Sequence, residues 1–368
     1  MASRSISSRS CELGTPRFHP LRVAEIAPLT DDSVAVTLDV PEPLADTFRY
    51  LPGQHVTLRA MIGGHDVRRS YSICANANTA RLRVGIKRLG GGAFSTWAVK
   101  ELRTGDTLDV MPPVGEFTIT PDPLAGRHYA AIAAGSGITP VLSLVSTTLE
   151  SEPASRWTVI FGNRSSRTVM FLDELQGLKD RYPDRMHLVH VLSQEMPEVP
   201  LFAGRIDRDK LERLFATVTD AATVDEWFLC GPFEMVGVAR DLLEERGVEP
   251  KSIHDELFFA GPLDVEALPT EPPPGEGAVA VEFTLAGRRS EVRMRPEEKI
   301  LDAALRVRRE LPFSCKGGMC ASCKARLIEG EVEMEKNHAL VDTDLDQGLV
   351  LTCQSHPLTD RIVLDYDV

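Results

Sequence analysis

Long apolar runs are missing from this chain of 368 residues. No stretch of about 18 uncharged, apolar residues occurs, so no membrane-spanning helix is expected. Positive charge is in deficit: 41 Lys and Arg stand against 54 Asp and Glu, a net charge of −13. Nucleic-acid binding needs clustered cations against phosphates, and that partner is not expected. The opening M-A-S-R-S-I-S-S-R-S-C-E-L-G-T lacks the apolar core of a secretory signal. Residues 1–17 read as a flexible terminus, and a cytoplasmic location is expected. An even cysteine count is also missing. Seven cysteines without a secretion signal argue against a disulfide framework.

The chain is long enough for two or three domains. From 18 to 125 it reads as an antiparallel β-barrel. Residues 34–40, 55–60 and 81–88 alternate apolar and polar positions, the mark of strands with one buried face, and Pro52-Gly53 and Gly90-Gly91-Gly92 punctuate them. From 126 to 262 short, continuously apolar strands (128–134, 157–161, 188–192, 227–230) alternate with helical patterns (138–150, 171–181, 207–216, 232–246). That alternation predicts an α/β domain whose parallel sheet is covered on both faces. Residues 263–278 are rich in Pro and acid and read as a semi-rigid linker. The block 279–368 predicts an α+β domain: strands at 279–285, 291–294, 325–334 and 361–366, and a helix at 297–309.

Four of the cysteines gather in that last block. Cys315, Cys320 and Cys323 stand within nine positions, and Cys353 follows after 29 intervening residues. A Cys-x4-Cys-x2-Cys…Cys spacing suits a two-iron, two-sulfide core, with three thiolates from a tight loop and the fourth from a distant segment. Gly317 and Gly318 let the loop curl around it. Structural zinc is the competing reading. Such sites pair two C-x2–4-C hairpins, a form that only Cys320–Cys323 has.

Five shorter patterns precede it. Arg69-Ser70-Tyr71-Ser72 offers a cation, an aromatic ring and a hydroxyl at the end of a strand. Gly91-Gly92-Ala93-Phe94-Ser95 is a glycine-rich turn opening a helix, suited to phosphate. Gly135-Ser136-Gly137-Ile138-Thr139-Pro140 sits between an apolar strand and a helix, where backbone approaches a pyrophosphate closely. Cys230-Gly231-Pro232 closes another buried strand. Arg164, Ser165 and Arg167 follow the second strand of the α/β domain, where NADH enzymes often place an acid. Arg matches the geometry of phosphate, so NADPH is expected ahead of NADH.

The C-terminal block resembles the plant-type [2Fe–2S] ferredoxin domain. That resemblance implies a β-grasp fold, with Cys315 and Cys320 on one iron and Cys323 and Cys353 on the other. Residues 18–262 resemble the ferredoxin–NADP reductase superfamily through R-x-Y-S, G-x-G-x-x-P and C-G-P in this order. The resemblance implies FAD in the barrel and a nicotinamide nucleotide in the α/β domain. It carries over Arg69, Tyr71 and Ser72 as flavin contacts, and Gly91, Gly92 and Ser95 as pyrophosphate contacts. Gly135, Gly137, Thr139, Pro140, Cys230, Gly231 and Pro232 carry over to the nicotinamide site, and Glu256 and Phe258, more loosely, to the flavin. Cys230, Tyr71 and Ser72 are the residues expected at the reacting rings.

The three-domain order is similar to the reductase components of bacterial oxygenases. The text of 315–340 and 348–357 most closely resembles the reductases that serve the multisubunit di-iron phenylacetyl-CoA epoxidase of phenylacetate breakdown. Reductases of Rieske-type oxygenases, including steroid 9α-hydroxylases, are the alternative. The implied electron path runs from NADPH through FAD and the cluster to the oxygenase. A redox sensor without turnover is the reading from a different class. Glu329, Glu331, Glu333 and Glu335 are expected on one face of a single strand, which reads as a solvated strand face ahead of an acidic surface for docking.

Overall fold

A computed structural model of the chain describes residues 18–258 and 278–368, apart from 286, 309, 310, 314, 315, 319, 320, 338 and 341. The expected flexible N-terminus and residues 263–277 of the expected linker lie outside the described residues, as do Cys11, Cys315 and Cys320. The chain divides into two compact units, Phe18–Val265 and one containing Glu266–Val368. Among the described residues no helix is long and apolar enough to cross a membrane.

The first unit begins with six strands: β1 (His19–Thr30), β2 (Ser33–Asp39), β3 (His55–Ile62), β4 (His65–Ser72), β5 (Leu82–Lys87) and β6 (Thr107–Val110). They pair antiparallel in the order β4-β3-β6-β1-β2-β5. A bridge between Ile73 and Val84 joins the end of β4 to β5 and curls the sheet into a barrel. Leu21, Val36, Leu58, Val84 and Leu108 fill it, and α1 (Ala93–Lys100) adds Phe94 and Ala98. The alternation in β2 predicts one buried face, yet six of its seven residues are buried. Val34, Val36 and Leu38 enter the barrel core, while Ala35 packs into the core of the neighbouring α/β domain. The outer face of this strand is covered, so burial there is not a matter of period two alone.

That neighbour is a five-stranded parallel sheet: β7 (His128–Ala134), β8 (Arg156–Asn163), β9 (Met186–Leu192), β10 (Glu226–Gly231) and β11 (Ile253–Leu257), in the order β11-β10-β7-β8-β9. Four helices cover it: α2 (Ile138–Ser151), α3 (Leu172–Arg181), α4 (Arg208–Thr217) and α5 (Phe233–Glu245). Successive residues feed opposite cores. Ala131, Val159 and Phe228 enter one; Ala130, Ile160 and Leu229 enter the other. This is why the central strands read as unbroken apolar runs. Edge strand β11 is absent from the sequence reading because Ile-His-Asp-Glu-Leu buries only Ile253 fully.

The second unit is a mixed sheet of β12 (Val279–Leu285), β13 (Arg288–Met294), β14 (Lys324–Glu329), β16 (Leu349–Leu351) and β18 (Arg361–Asp365), in the order β13-β12-β18-β14-β16. β12 pairs parallel to β18, and the remaining pairs are antiparallel. Helix α6 (Ile300–Val307) packs on it through Ile300, Leu301, Ala303, Ala304 and Leu305, giving the β-grasp arrangement. The single strand expected at 325–334 is two. β14 ends at Glu329, Gly330 takes φ +95°, and β15 (Val332–Met334) pairs instead with β17 (Ser355–Pro357). The acidic row is therefore split between two sheets. Within it, Glu329 pairs with Arg361, and Glu335 with Lys299 and His356.

One close turn in the first unit is set by glycine. Gly53 has φ +93°, and a Cβ there would lie 2.0 Å from the Phe117 carbonyl oxygen. Gly53→Ala is expected to lower stability by about 1–3 kcal/mol from overpacking alone, with left-handed backbone strain added. The shift of the urea midpoint checks it.

Candidate functional site

The end of β4 carries the first candidate group. Along a strand, side chains alternate, so Arg69 and Tyr71 share one face and Ser72 takes the other. Arg69 Nη1 donates to the Arg68 carbonyl at 2.6 Å. The Tyr71 ring lies 5.6 Å from that of Phe94 on α1, and burial pushes its phenol above the ordinary range. Ser72 is buried and donates from Oγ to Glu256 Oε2 at 3.0 Å. Glu256 stands on β11, so one hydrogen bond ties the barrel to the edge of the parallel sheet.

Glu256 gathers two more groups. Its register partner on β10 is Cys230. The Cys230 thiol is fully buried, and burial, then the nearby Glu256 carboxylate, push its pKa well up. The other carboxylate oxygen, Oε1, lies 3.6 Å from His55 Nδ1. Phe258, just past β11, donates its backbone N–H to the Gly231 carbonyl at 3.1 Å and packs on the sheet core. Ser72, Cys230, Glu256 and Phe258, far apart in sequence, thus fall in one region.

The glycine-rich turns sit at helix starts. Gly91 takes φ +77°, Gly92 precedes α1, and Ser95 Oγ accepts from the Leu89 N–H at 3.1 Å. Gly135 takes φ +55° in a 3-10 turn that leads into α2. A Cβ on Gly137 would lie 2.1 Å from the Cys230 carbonyl oxygen, so only glycine lets this turn rest on the end of β10. Thr139 Oγ1 donates to the Ser136 carbonyl at 2.9 Å. Pro140 lies in the first turn of α2, where a missing N–H costs nothing. Pro232 precedes α5, and Gly231 packs against Met235.

The loop after β8 is less basic than its letters suggest. Arg164 reaches Asp32 of the β1–β2 hairpin at 3.4 Å, and Lys87 does the same. Ser165 forms a reciprocal cap with Thr168. Glu195 Oε1 accepts from both the N–H and the hydroxyl of Ser166 at 2.9 Å. Arg167 is exposed and makes no ion pair among the described residues.

Two of the four clustered thiols can be placed. Cys323 and Cys353 are both buried in the core of the second unit. Thr352 donates from Oγ1 to the Cys323 carbonyl at 2.9 Å, which sets the two cysteine segments side by side. Gly318 takes φ +78°, and a Cβ there would meet the Lys336 carbonyl oxygen at 2.8 Å. Buried thiols flanked by a tight glycine loop fit thiolate ligation of a cluster.

Four residues that touch these sites are not singled out by the sequence: His55, Gly115, Asp32 and Glu195. None belongs to a spaced motif. Only the β3–β4 register, in which His55 faces Ser72, could have suggested the first.

Three family models match the chain in order: an oxidoreductase FAD-binding domain over residues 20–119, an oxidoreductase NAD-binding domain over 131–241, and a 2Fe-2S iron-sulfur cluster binding domain over 283–358. The chain is 42% identical to one of the subunits of the 1,2-phenylacetyl-CoA epoxidase of Escherichia coli (strain K12), over 95% of this chain and 98% of that one. It is 34% identical to the 3-ketosteroid-9-alpha-monooxygenase ferredoxin reductase component of Mycolicibacterium smegmatis, over 94% and 96%. Among solved structures, phthalate dioxygenase reductase shares the fold, with a TM-score of 0.59 at 22% identity, covering 95% of this chain and 98% of that one. The chain belongs to the family of flavin- and iron–sulfur-containing oxygenase reductases that includes the two relatives just given, and it is an oxidoreductase of that type.

Cys74 is a core thiol of the same unit, donating to the Arg83 carbonyl at 3.3 Å, and burial pushes its pKa up to about 12. The thiolate is the nucleophile, and at pH 8 such a group is ionised in about one molecule in 10⁴. Peptide mapping after iodoacetamide treatment at pH 8 is expected to find Cys74 and Cys230 unlabelled in native protein and fully labelled in denaturant.

Proposed function

We propose that this chain passes electrons from NADPH to a di-iron oxygenase that epoxidises phenylacetyl-CoA, working in the cytoplasm. The single observation that carries the partner is the end-to-end match, at 42% identity, to a component of the 1,2-phenylacetyl-CoA epoxidase. A Rieske-type oxygenase remains the second reading, favoured by the 34% match to the steroid monooxygenase component. Cysteines used for a cluster suit a reducing compartment. Residues 263–277 serve as a linker between the flavin-binding unit and the cluster unit.

In this reading a bound flavin accepts a hydride's two electrons and the cluster relays them singly. The chain's own residues position. Arg69 supplies positive charge to the flavin pyrophosphate with Gly91, Gly92 and Ser95, while Tyr71 presents its ring to the flavin. Gly135, Gly137, Thr139 and Pro140, with Cys230, Gly231 and Pro232, form the floor on which the nicotinamide rests. Ser72 and Glu256 hold a hydroxyl and a carboxylate at the reacting edge, and Phe258 covers it. Cys315, Cys320, Cys323 and Cys353 hold the cluster.

The partner is tested by mixing this protein with a purified phenylacetyl-CoA oxygenase complex. Epoxide formed in step with NADPH oxidation is expected, and much less product with a Rieske oxygenase. Rapid reduction of an artificial acceptor without epoxide would discard the partner and keep the electron path.

The nucleotide preference rests on Arg164 and Arg167 against Asp32 and Glu195. A 2′-phosphate draws Arg164 from Asp32 and engages Arg167. Arg167→Ala is expected to raise the KM for NADPH about tenfold, the loss of roughly one charge-assisted hydrogen bond, with the KM for NADH within twofold. Steady-state turnover of an artificial acceptor checks it, and a wild-type preference for NADH would sink it.

A further inference from the structure

His55 is not needed by any motif described above, yet it is built into the seam between barrel and parallel sheet. It opens β3 and is 7% exposed. Its backbone is fixed from both sides: the His55 N–H donates to the Val114 carbonyl and the Val114 N–H to the His55 carbonyl, each at 2.9 Å. The imidazole has a prepared space. Gly115 takes φ +123°, and a Cβ there would lie 2.9 Å from His55 Nδ1 and 3.3 Å from Cε1. Any other residue at 115 pushes the ring away from its place.

The ring is placed against Glu256. His55 and Ser72 face each other across β3 and β4, and both address one carboxylate. Ser72 holds Oε2 at 3.0 Å; His55 Nδ1 stands 3.6 Å from Oε1. That separation is just beyond hydrogen-bond reach, as contacts in unliganded sites often are before they tighten. The far nitrogen, Nε2, is buried and has no hydrogen-bond partner among the described residues. Buried polar nitrogens are rarely left so, which marks the ring as part of a site and not of the apolar core.

We propose that His55 is a positioning residue for flavin reduction: its Nδ1–H holds Oε1 of Glu256, which keeps Oε2 on the Ser72 hydroxyl and fixes that hydroxyl at the reacting edge. The proposal rests on the reading that Ser72 and Glu256 border the flavin. A carboxylate held by one hydrogen bond can rotate about its last side-chain bond, whereas one held at both oxygens cannot. Without the imidazole, Ser72 loses a fixed acceptor although no atom that touches the reacting ring has changed.

The test uses the full-length protein loaded with FAD and cluster, at one pH, by anaerobic stopped-flow reduction with NADPH. His55→Leu is expected to lower the limiting reduction rate about tenfold, the effect of losing roughly one hydrogen bond to a charged group. The apparent dissociation constant for NADPH should stay within twofold and the FAD content should stay full. Glu256→Gln should lower the rate as well, and the double variant should be no slower than Glu256→Gln alone, because the two side chains act as a unit. His55→Gln, which keeps an N–H, should recover most of the rate. A second readout needs no turnover. In the FAD-free full-length chain, long-range ¹H–¹⁵N spectra should show the His55 proton on Nδ1, and Glu256→Gln should shift that signal.

An unchanged rate in His55→Leu, additive losses in the double variant, or a loss that tracks missing FAD would each overturn the proposal. So would an imidazole spectrum indifferent to Glu256→Gln. A wild-type chain that takes up no FAD would overturn the flavin reading instead, and the imidazole spectrum would still decide whether His55 holds Glu256.

Discussion

One hydrogen bond, from the Ser72 hydroxyl to the Glu256 carboxylate, joins residues 184 positions apart in the chain. Much of the first unit is arranged so that this contact can exist. Ser72 must sit at the end of β4, which the β3–β4 register and the Ile73–Val84 bridge fix at the rim of the barrel. Glu256 must sit on the edge strand of the parallel sheet, at the level of Cys230. The barrel and the sheet must then approach closely, which the two-sided burial of β2 achieves, with Ala35 of the barrel packed into the core that holds Val159 and Phe228. A partly buried carboxylate is less costly when it is hydrogen-bonded, so apolar packing brings the domains together and the polar contact selects their alignment.

Glycine enforces the same alignment from the other side. The turn after β7 rests on the carbonyl of Cys230, and a methyl group at Gly137 would collide with it. The turn after β7, the C-G-P segment and Glu256 therefore belong to one assembly of strand ends. Such ends are where open parallel sheets bind ligands, because helix N-termini and loops converge there. Burial pushes the Cys230 thiol well above its ordinary range, which disfavours the thiolate, the nucleophilic form.

How far all this could be read from the letters depends on the kind of signal each element carries. The central strands β7, β8 and β10 were legible because both faces are buried, which leaves continuous apolar runs flanked by helical periods. β1 was harder: its register shifts between Val23 and Glu25 and between Pro28 and Thr30, and a bulge breaks the period of two. β11 hid because this edge strand, Ile-His-Asp-Glu-Leu, is largely polar and only partly buried. The split of β14 from β15 turns on Gly330, whose left-handed backbone redirects the chain into another sheet. Cysteine spacing points to a ligand set because ligation needs those residue types, whereas the ion pair of Arg164 with Asp32 depends on a tertiary contact across 132 positions.

The two units place different demands on sequence. The placed cysteines of the second unit are linked locally: Cys323 and Cys353 are joined through Thr352. The candidate site of the first unit is non-local: Arg69, Tyr71, Ser72, Cys230 and Glu256 come from strands of two folds that meet. A change at the barrel rim therefore acts on groups of the nucleotide domain through the shared carboxylate, whereas a change in the cysteine loop acts within its own unit.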